Sequence, residues 1–348
     1  MSRGAPFAPF PVAPRPECDE RLSSWLQRLA GIYAMPTGMF LDCCGLSDRR
    51  AAELEWRLGT GAEIMLAART RMTLPALRAM TFEDIAPHAR STIARGSRYL
   101  CPECSRGAFV HRKAAALPWT FWCAAHQARF RSAGGQTLEA LLPGKSLAEL
   151  DPDARRGAAR LDAWARGRDE RLPALAVFLD FLTARHRRRR PPSLDEQQRS
   201  SLQAGGVDHE LFSRPIVRQA LLVVVPEYDH AAQLPAQPLR SGFAALAHGS
   251  LLTNYALAVG LGRLDEHPVD CATAVLAASD WEGEERVRVA LQAWPPELRR
   301  SVDARFRRFR ATQAAARFTA SRMHDAGKNR QSHKLRFAQS HKLCSGIS

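Results

Sequence analysis

The stretch from Tyr99 to Phe130 reads YLCPECSRGAFVHRKAAALPWTFWCAAHQARF. Cys101 and Cys104 form a C-x2-C pair, and Cys123 and His126 form a C-x2-H pair after eighteen intervening residues. Two residues between ligands let both donor atoms turn toward one ion, and Pro102 favours the tight turn of such a knuckle. The spacing reads as one structural zinc site with Cys101, Cys104, Cys123 and His126 as ligands. Four protein ligands fill a tetrahedron and leave no position for a reacting water, so the expected zinc holds structure and does not catalyse. The competing reading is four unrelated side chains packed in a core, and two correctly spaced pairs weigh against it. His111 lies between the knuckles, and its isolation reads as a solvent-facing side chain. Trp119 to Trp122 is short, aromatic and preceded by Pro118, which fits a small β-hairpin clamped by the metal.

Upstream, Leu22, Trp25, Leu26 and Leu29 fall at i, i+3, i+4 and i+7, the apolar face of a helix that Gly31 is expected to stop. A second helix is expected after Thr37, carrying Met39, Phe40 and Cys43 before Gly45. Helix, turn and helix fit a helix-turn-helix that reads DNA or a plain helical hairpin packing its own core, and pattern does not choose between them. Trp25 and Cys43 are expected in the core. Residues 64 to 94 read as two or three short helices broken at Thr73-Leu74-Pro75 and at Ala86-Pro87.

Arg98 to Cys104 (RYLCPEC) and Leu117 to Phe130 (LPWTFWCAAHQARF) resemble the zinc segment of the TniQ family of transposition proteins. Glu20 to Leu26 (ERLSSWL) is similar to that family's opening. Leu66 to Thr70 with Leu77 to Thr81 is similar to the short helical unit before its finger. The resemblance runs from about residue 17 to 130 in the family's order. One departure is the second C-x2-C that often follows the C-x2-H; Ser132-Ala133-Gly134-Gly135 stands there instead, so one zinc is expected. The resemblance implies a non-catalytic accessory protein that selects the transposition target. Such a protein binds DNA or a targeting complex and bridges it to the transposon's AAA+ ATPase, and through that to a separate transposase. A guide-RNA effector complex and a homodimer stay open as further partners. The alternative is a zinc-containing DNA-binding transcriptional regulator, which would use the same finger and helices.

The remaining composition agrees with a polyanionic partner. The chain has 348 residues, a net charge of +15 and 45% hydrophobic content, enough to bury real cores. From Arg299 onward there are 13 Lys or Arg and two Asp. The eight cysteines show no disulfide framework, which suits a reducing, cytoplasmic setting. MSRGAPFAPFPVAPRP lacks the apolar run of a secretory signal. Phe243 to Gly262 is almost free of charge, yet His248, Asn254 and its glycines point to a buried helical pair and not a membrane span.

The expected fold is mainly α, with helical N- and C-terminal parts flanking a small zinc-ribbon-like β-hairpin module. Its expected divisions are an extended, mobile proline-rich lead over 1–16, a helical part over 17–95 and the zinc module over 96–135. A helical segment over 136–190, a helical domain over 206–312 and a disordered basic tail over 313–348 follow. Leu138, Leu141 and Leu142 mark a short helix ending at Pro143-Gly144, and residues 156 to 186 read as helical. Gly144-Lys145-Ser146 lacks the first glycine of a phosphate loop, because Glu139 stands there, and is a decoy. Arg185, Arg187, Arg188, Arg189 and Arg190 read as a helix end running into a linker, either gripping nucleic-acid phosphates or solvating a hinge. Ser250 is expected to cap a helix that Gly260 and Gly262 end, and Pro295-Pro296 to start another. QSHKLRFA and QSHKLCSG repeat near the end and suit a disordered tail. No H-E-x-x-H, G-x-S-x-G or complete phosphate loop occurs. Asp151 with Asp153, and Glu282 with Glu284 and Glu285, sit in charged stretches, so no enzyme is expected.

Overall fold

In a computed structural model the described residues are 8–106, 110–142, 147–187, 217–229 and 240–315. They are mainly α-helical, with two small antiparallel sheets.

The N-terminal helices are α1 (Leu22–Ile32), α2 (Thr37–Cys43), α3 (Ala51–Leu54), α4 (Thr60–Thr70) and α5 (Leu74–Ala79). Leu22, Trp25, Leu26 and Leu29 all point into one core with Phe40 and Leu66, as their spacing requires. Gly31 lies inside α1, which ends one residue later at Ile32. In α2 the buried thiol is Cys44, at the C-cap, whereas Cys43 is exposed. The expectation of a core Cys43 is therefore off by one position, about 100° around the helix. Thr73 caps α5 by accepting the Ala76 amide at 3.4 Å, with a proline in the first turn.

The proline-rich lead, expected to be mobile, is docked from residue 8 onward. The Phe10 amide donates to the Arg69 carbonyl at 2.7 Å and its ring stacks on Phe40 at 4.8 Å. Trp25 Nε1 donates to the Pro14 carbonyl at 2.8 Å. Apolar residues between the prolines supply this packing, which a proline count does not register.

A second core begins at Phe82 and continues without interruption through Trp119, Phe121 and Phe130 to Trp294 and Phe306. The metal segment is thus packed on the helices that follow it. These are α6 (Leu138–Leu141), α7 (Leu147–Ala165), α8 (Leu175–Thr183), α9 (Leu221–Val224), α10 (Pro226–Asp229), α11 (Phe243–His248) and α12 (Leu251–Glu266). Then come α13 (Pro268–Ala278), α14 (Trp281–Leu291) and a last helix over 296–315. The nearly charge-free run Phe243 to Gly262 forms α11 and most of α12, as a buried helical pair. No described helix is long and apolar enough to cross a membrane.

Ser250 caps α12, accepting the Thr253 amide at 3.2 Å. Gly260 and Gly262, expected to end that helix, lie inside it. They serve packing: a β-carbon on Gly262 would meet the Asp153 carbonyl of α7 at 2.1 Å. The helical reading of residues 156 to 186 also needs correction. Helix α7 begins earlier, at Leu147, and a segment with Gly167 at φ 68 separates it from α8.

The start of the arginine run is a strand, not a helix end. Strand β3 (Arg185–Arg187) pairs antiparallel with β4 (Val217–Gln219), His186 facing Arg218. Strand alternation sends His186 into the core and leaves Arg185 exposed. The main-chain groups find partners in β4, far along the sequence, so no local pattern announces the strand. The remainder of the run, Arg188, Arg189 and Arg190, lies outside the described residues, as do Gly144-Lys145-Ser146 and the terminal repeat.

Candidate metal centre

The two knuckles are brought together by the other small sheet. Strand β1 (Tyr99–Leu100) delivers the chain to Cys101, and β2 (Arg131–Ser132) carries it away after His126, with Tyr99 opposite Ser132. Between them, Trp122 and Arg129 form an antiparallel bridge, and the Phe130 amide donates to the Phe121 carbonyl at 2.8 Å. The expected hairpin is therefore present, closed around the second knuckle. Its turn places Gln127 at φ 52.

Each knuckle is closed by its own backbone. The Cys104 amide points at Cys101 Sγ at 3.5 Å, and the Ser105 amide donates to the Cys101 carbonyl at 3.1 Å. The Gln127 amide donates to the Cys123 carbonyl at 2.8 Å. Both knuckles thus present sulfur inward and carbonyls to their own turns.

Cys101, Cys104, Cys123 and His126 converge, with their ligand atoms all within 4.8 Å of one another. Cys104 Sγ is 3.7 Å from Cys123 Sγ. His126 Nδ1 lies 3.6 Å from Cys101 Sγ, 3.3 Å from Cys104 Sγ and 3.6 Å from Cys123 Sγ. A tetrahedral ion with metal–sulfur bonds of about 2.3 Å and metal–nitrogen bonds of about 2.05 Å needs edges of about 3.8 and 3.5 Å. The donor set fits such an ion. Cys101 and Cys123 are buried, Cys104 is half-buried and His126 is exposed. Among the described residues, this is the one group of three or more Cys, His, Asp or Glu able to hold a metal.

Charge at the sulfurs is graded. Burial pushes the Cys104 thiol up to about 11, against the opposing hydrogen bond from Arg112. Burial also raises Cys123, but amide and side-chain hydrogen bonds from His126 outweigh it and bring the thiol down to about 7. Donors aimed at a sulfur favour the thiolate, the form that binds metal.

Arg112 is a residue that the sequence reading did not single out. Its Nε donates to Cys104 Sγ at 2.9 Å, and its Nη1 donates to the Cys18 carbonyl. Arg112 also bridges Glu20 in antiparallel fashion. One guanidinium thus ties a candidate ligand sulfur to the segment that leads into α1. His111, expected to face solvent, is half-buried; its Nδ1 lies 2.8 Å from Ser97 Oγ and its amide donates to Ser24 Oγ at 3.0 Å. Only the adjacency of His111 and Arg112 to the knuckles hinted at either role.

The other residues singled out in the sequence lie elsewhere. Arg187 pairs with Asp280 at 3.2 Å and Glu282 at 2.7 Å. Arg185 is exposed on β3. Asp151 accepts from Tyr255 at 2.8 Å and pairs with Arg129, Asp153 pairs with Arg263 at 3.0 Å, and Glu284 pairs with Arg288 at 3.1 Å. These carboxylates face arginines.

Residues 11–130 match the family model TniQ, a stretch that holds α1 to α5 and all four candidate ligands. No curated protein and no solved structure matches the chain.

Proposed function

We propose that this chain is a non-catalytic transposition accessory protein, which selects the target by binding DNA or a targeting complex and bridging it to the transposon's AAA+ ATPase. The observation that carries this reading is the coincidence of the TniQ match over 11–130 with a closed Cys3His cluster inside it. The ATPase in turn recruits a separate transposase.

The ion we assign to the cluster is a single Zn2+. Three thiolates and one imidazole at tetrahedral spacing are the donor set zinc prefers. Bound there, zinc supplies a cross-link and no open position for a reacting water. The chain's own residues do the rest. Arg112 fixes Cys104 and the lead to α1, and Arg98 fixes the finger on the C-terminal helices by donating to the Leu246 and Ala247 carbonyls at 3.0 and 2.7 Å. The result suits a docking platform of fixed shape, on which partners assemble without induced folding.

The test is genetic context followed by capture. Sequencing the few kilobases that flank the gene should reveal an AAA+ ATPase and a transposase with an acidic triad. The tagged full chain should then retain that ATPase in the presence of ATP. If neither gene is present, the accessory reading falls and a zinc-containing DNA-binding transcriptional regulator replaces it.

A further inference from the structure

The last helix, over 296–315, carries Arg299, Arg300, Arg305, Arg307, Arg308 and Arg310 against Glu297 and Asp303. Val302 and Phe306 bury its inner side. Glu297, Arg300, Ser301, Ala304, Arg305 and Arg308 follow helical spacing and form one outer stripe. Together with Val269, in the first turn of α13, they line an open groove of about 550 Å³.

The charges in this groove are available. Arg305 pairs with Asp270 at 2.8 Å and Arg300 with Glu297 at 3.5 Å, and all four side chains are about half exposed or more. Such pairs exchange partners at little cost. Arg308 has no side-chain partner among the described residues. Arg187, by contrast, already faces two carboxylates on α14.

We propose that this groove docks the sugar-phosphate backbone of duplex DNA. The inference rests on the DNA-binding part of the function proposed above and gives it a surface far along the chain from the metal segment. Arg300 and Arg308 stand about 12 Å apart along the helix axis, the rise of roughly three to four base pairs. Guanidinium forks match phosphate oxygens in bidentate fashion, and the Ser301 hydroxyl is a further backbone donor. Among the described residues, Val269 and Ala304 are the only apolar side chains in the lining, and neither is the large buried anchor on which a protein partner would centre. The positive charge also continues beyond the groove, since the chain from Arg299 onward holds 13 Lys or Arg and two Asp. A long-range field of this kind attracts a polyanion before contact is made.

The experiment is fluorescence anisotropy of the full chain with a labelled duplex of about 30 base pairs over a salt series. Arg300→Gln/Arg305→Gln/Arg308→Gln should weaken binding at least about tenfold near 100 mM salt and make the slope of log K against log salt shallower by about 2 to 3. Arg300→Lys/Arg308→Lys keeps the charge and loses the forks, so it should keep the parent's salt slope and bind more weakly than the parent but more tightly than the triple variant. Unchanged affinity and slope in the triple variant, with its far-UV circular dichroism preserved, would overturn the assignment. So would tighter binding of a single-stranded RNA or a poly-glutamate peptide than of the duplex. ATPase capture separates the two proposals. A triple variant that loses DNA but keeps the ATPase supports the groove. A parent chain that binds DNA through the groove but never captures the ATPase removes the bridging role alone.

Discussion

Gly157 of α7 and Ala258 of α12 meet so closely that a β-carbon on the glycine would lie 1.9 Å from the alanine carbonyl oxygen. Gly262 repeats the contact in the other direction, against Asp153 of α7. Both obstacles are backbone, which does not swing aside as a side-chain tip would. Gly157→Ala or Gly262→Ala should therefore force the helices apart and cost about 3 kcal/mol or more. Gly31→Ala, with nothing within 4 Å of its added carbon, should leave stability unchanged or raise it by about 0.5 kcal/mol. Urea midpoints of the three variants check this, and equal losses in all three would refute the close-packing argument.

Metal content is the direct readout of the candidate centre. The purified chain should carry about one zinc per molecule, measured by mass spectrometry of the released ion. Cys104→Ser should lose it and unfold the middle of the chain, because the ion closes a loop between distant segments. Retained metal with an unchanged melting curve would sink the ligand assignment. Arg112→Gln should keep the ion but weaken it against a competing chelator by about 10- to 100-fold, the usual scale for a hydrogen bond made to a ligand.

His186 gives a pH prediction. It is fully buried on β3, with Nδ1 3.0 Å from Ser279 Oγ and no partner for Nε2 among the described residues. Burial, reinforced by Arg218, lowers its pKa from 6.5 to about 4. The unfolded chain then binds a proton that the folded one refuses, so this contribution to stability is complete above about pH 6.5 and fades as pH falls toward 4. The slope approaches about 1.4 kcal/mol per pH unit inside that window. Between pH 7.5 and 5 the urea midpoint of the parent should fall more steeply than that of His186→Gln; parallel curves would exclude His186 as the cause.

Arg160 is 1% exposed on α7 and holds Asp169 at 3.3 Å, together with Asp265 and the Pro173 carbonyl. Its guanidinium also lies 4.9 Å from the Phe178 ring centroid. Arg160→Ala would leave the nearly buried Asp169 with only the half-exposed Arg171, at 3.2 Å, as counter-charge. Removing one partner of a buried pair costs about 3–5 kcal/mol, so thermal unfolding should shift strongly downward. Arg160→Ala combined with Asp169→Asn should recover part of the loss. A double variant no more stable than the single would show that packing, not charge, is what Arg160 supplies.

Local spacing carried much of this protein. The C-x2-C and C-x2-H pairs named four candidate ligands that do converge, because a knuckle needs only its own four residues to point two donors inward. The 3.6-residue rhythm of Leu22, Trp25, Leu26 and Leu29 gave α1 and its buried face for the same reason. The Ser250 cap and the proline start of the last helix are equally local, each being a bond or a fixed φ within one turn. The TniQ resemblance, read from motifs in order, coincides with the match over 11–130.

What required the tertiary structure are the contacts between residues far apart in sequence. Gly262 looks like a helix stop until α7 is laid against it, and Gly260 until Leu182 of α8 and Leu221 of α9 are; only then does the missing side chain become a condition for close approach. Arg185 to Arg187 reads as a helix end running into a linker because β4, its partner, begins some thirty residues later. Arg112 is one arginine among many until folding sets its guanidinium on Cys104, and His111 is drawn inward by Ser97 and Ser24. Each is settled by the burial and pairing of polar groups across the chain, and that pairing has no period or spacing for a sequence to display.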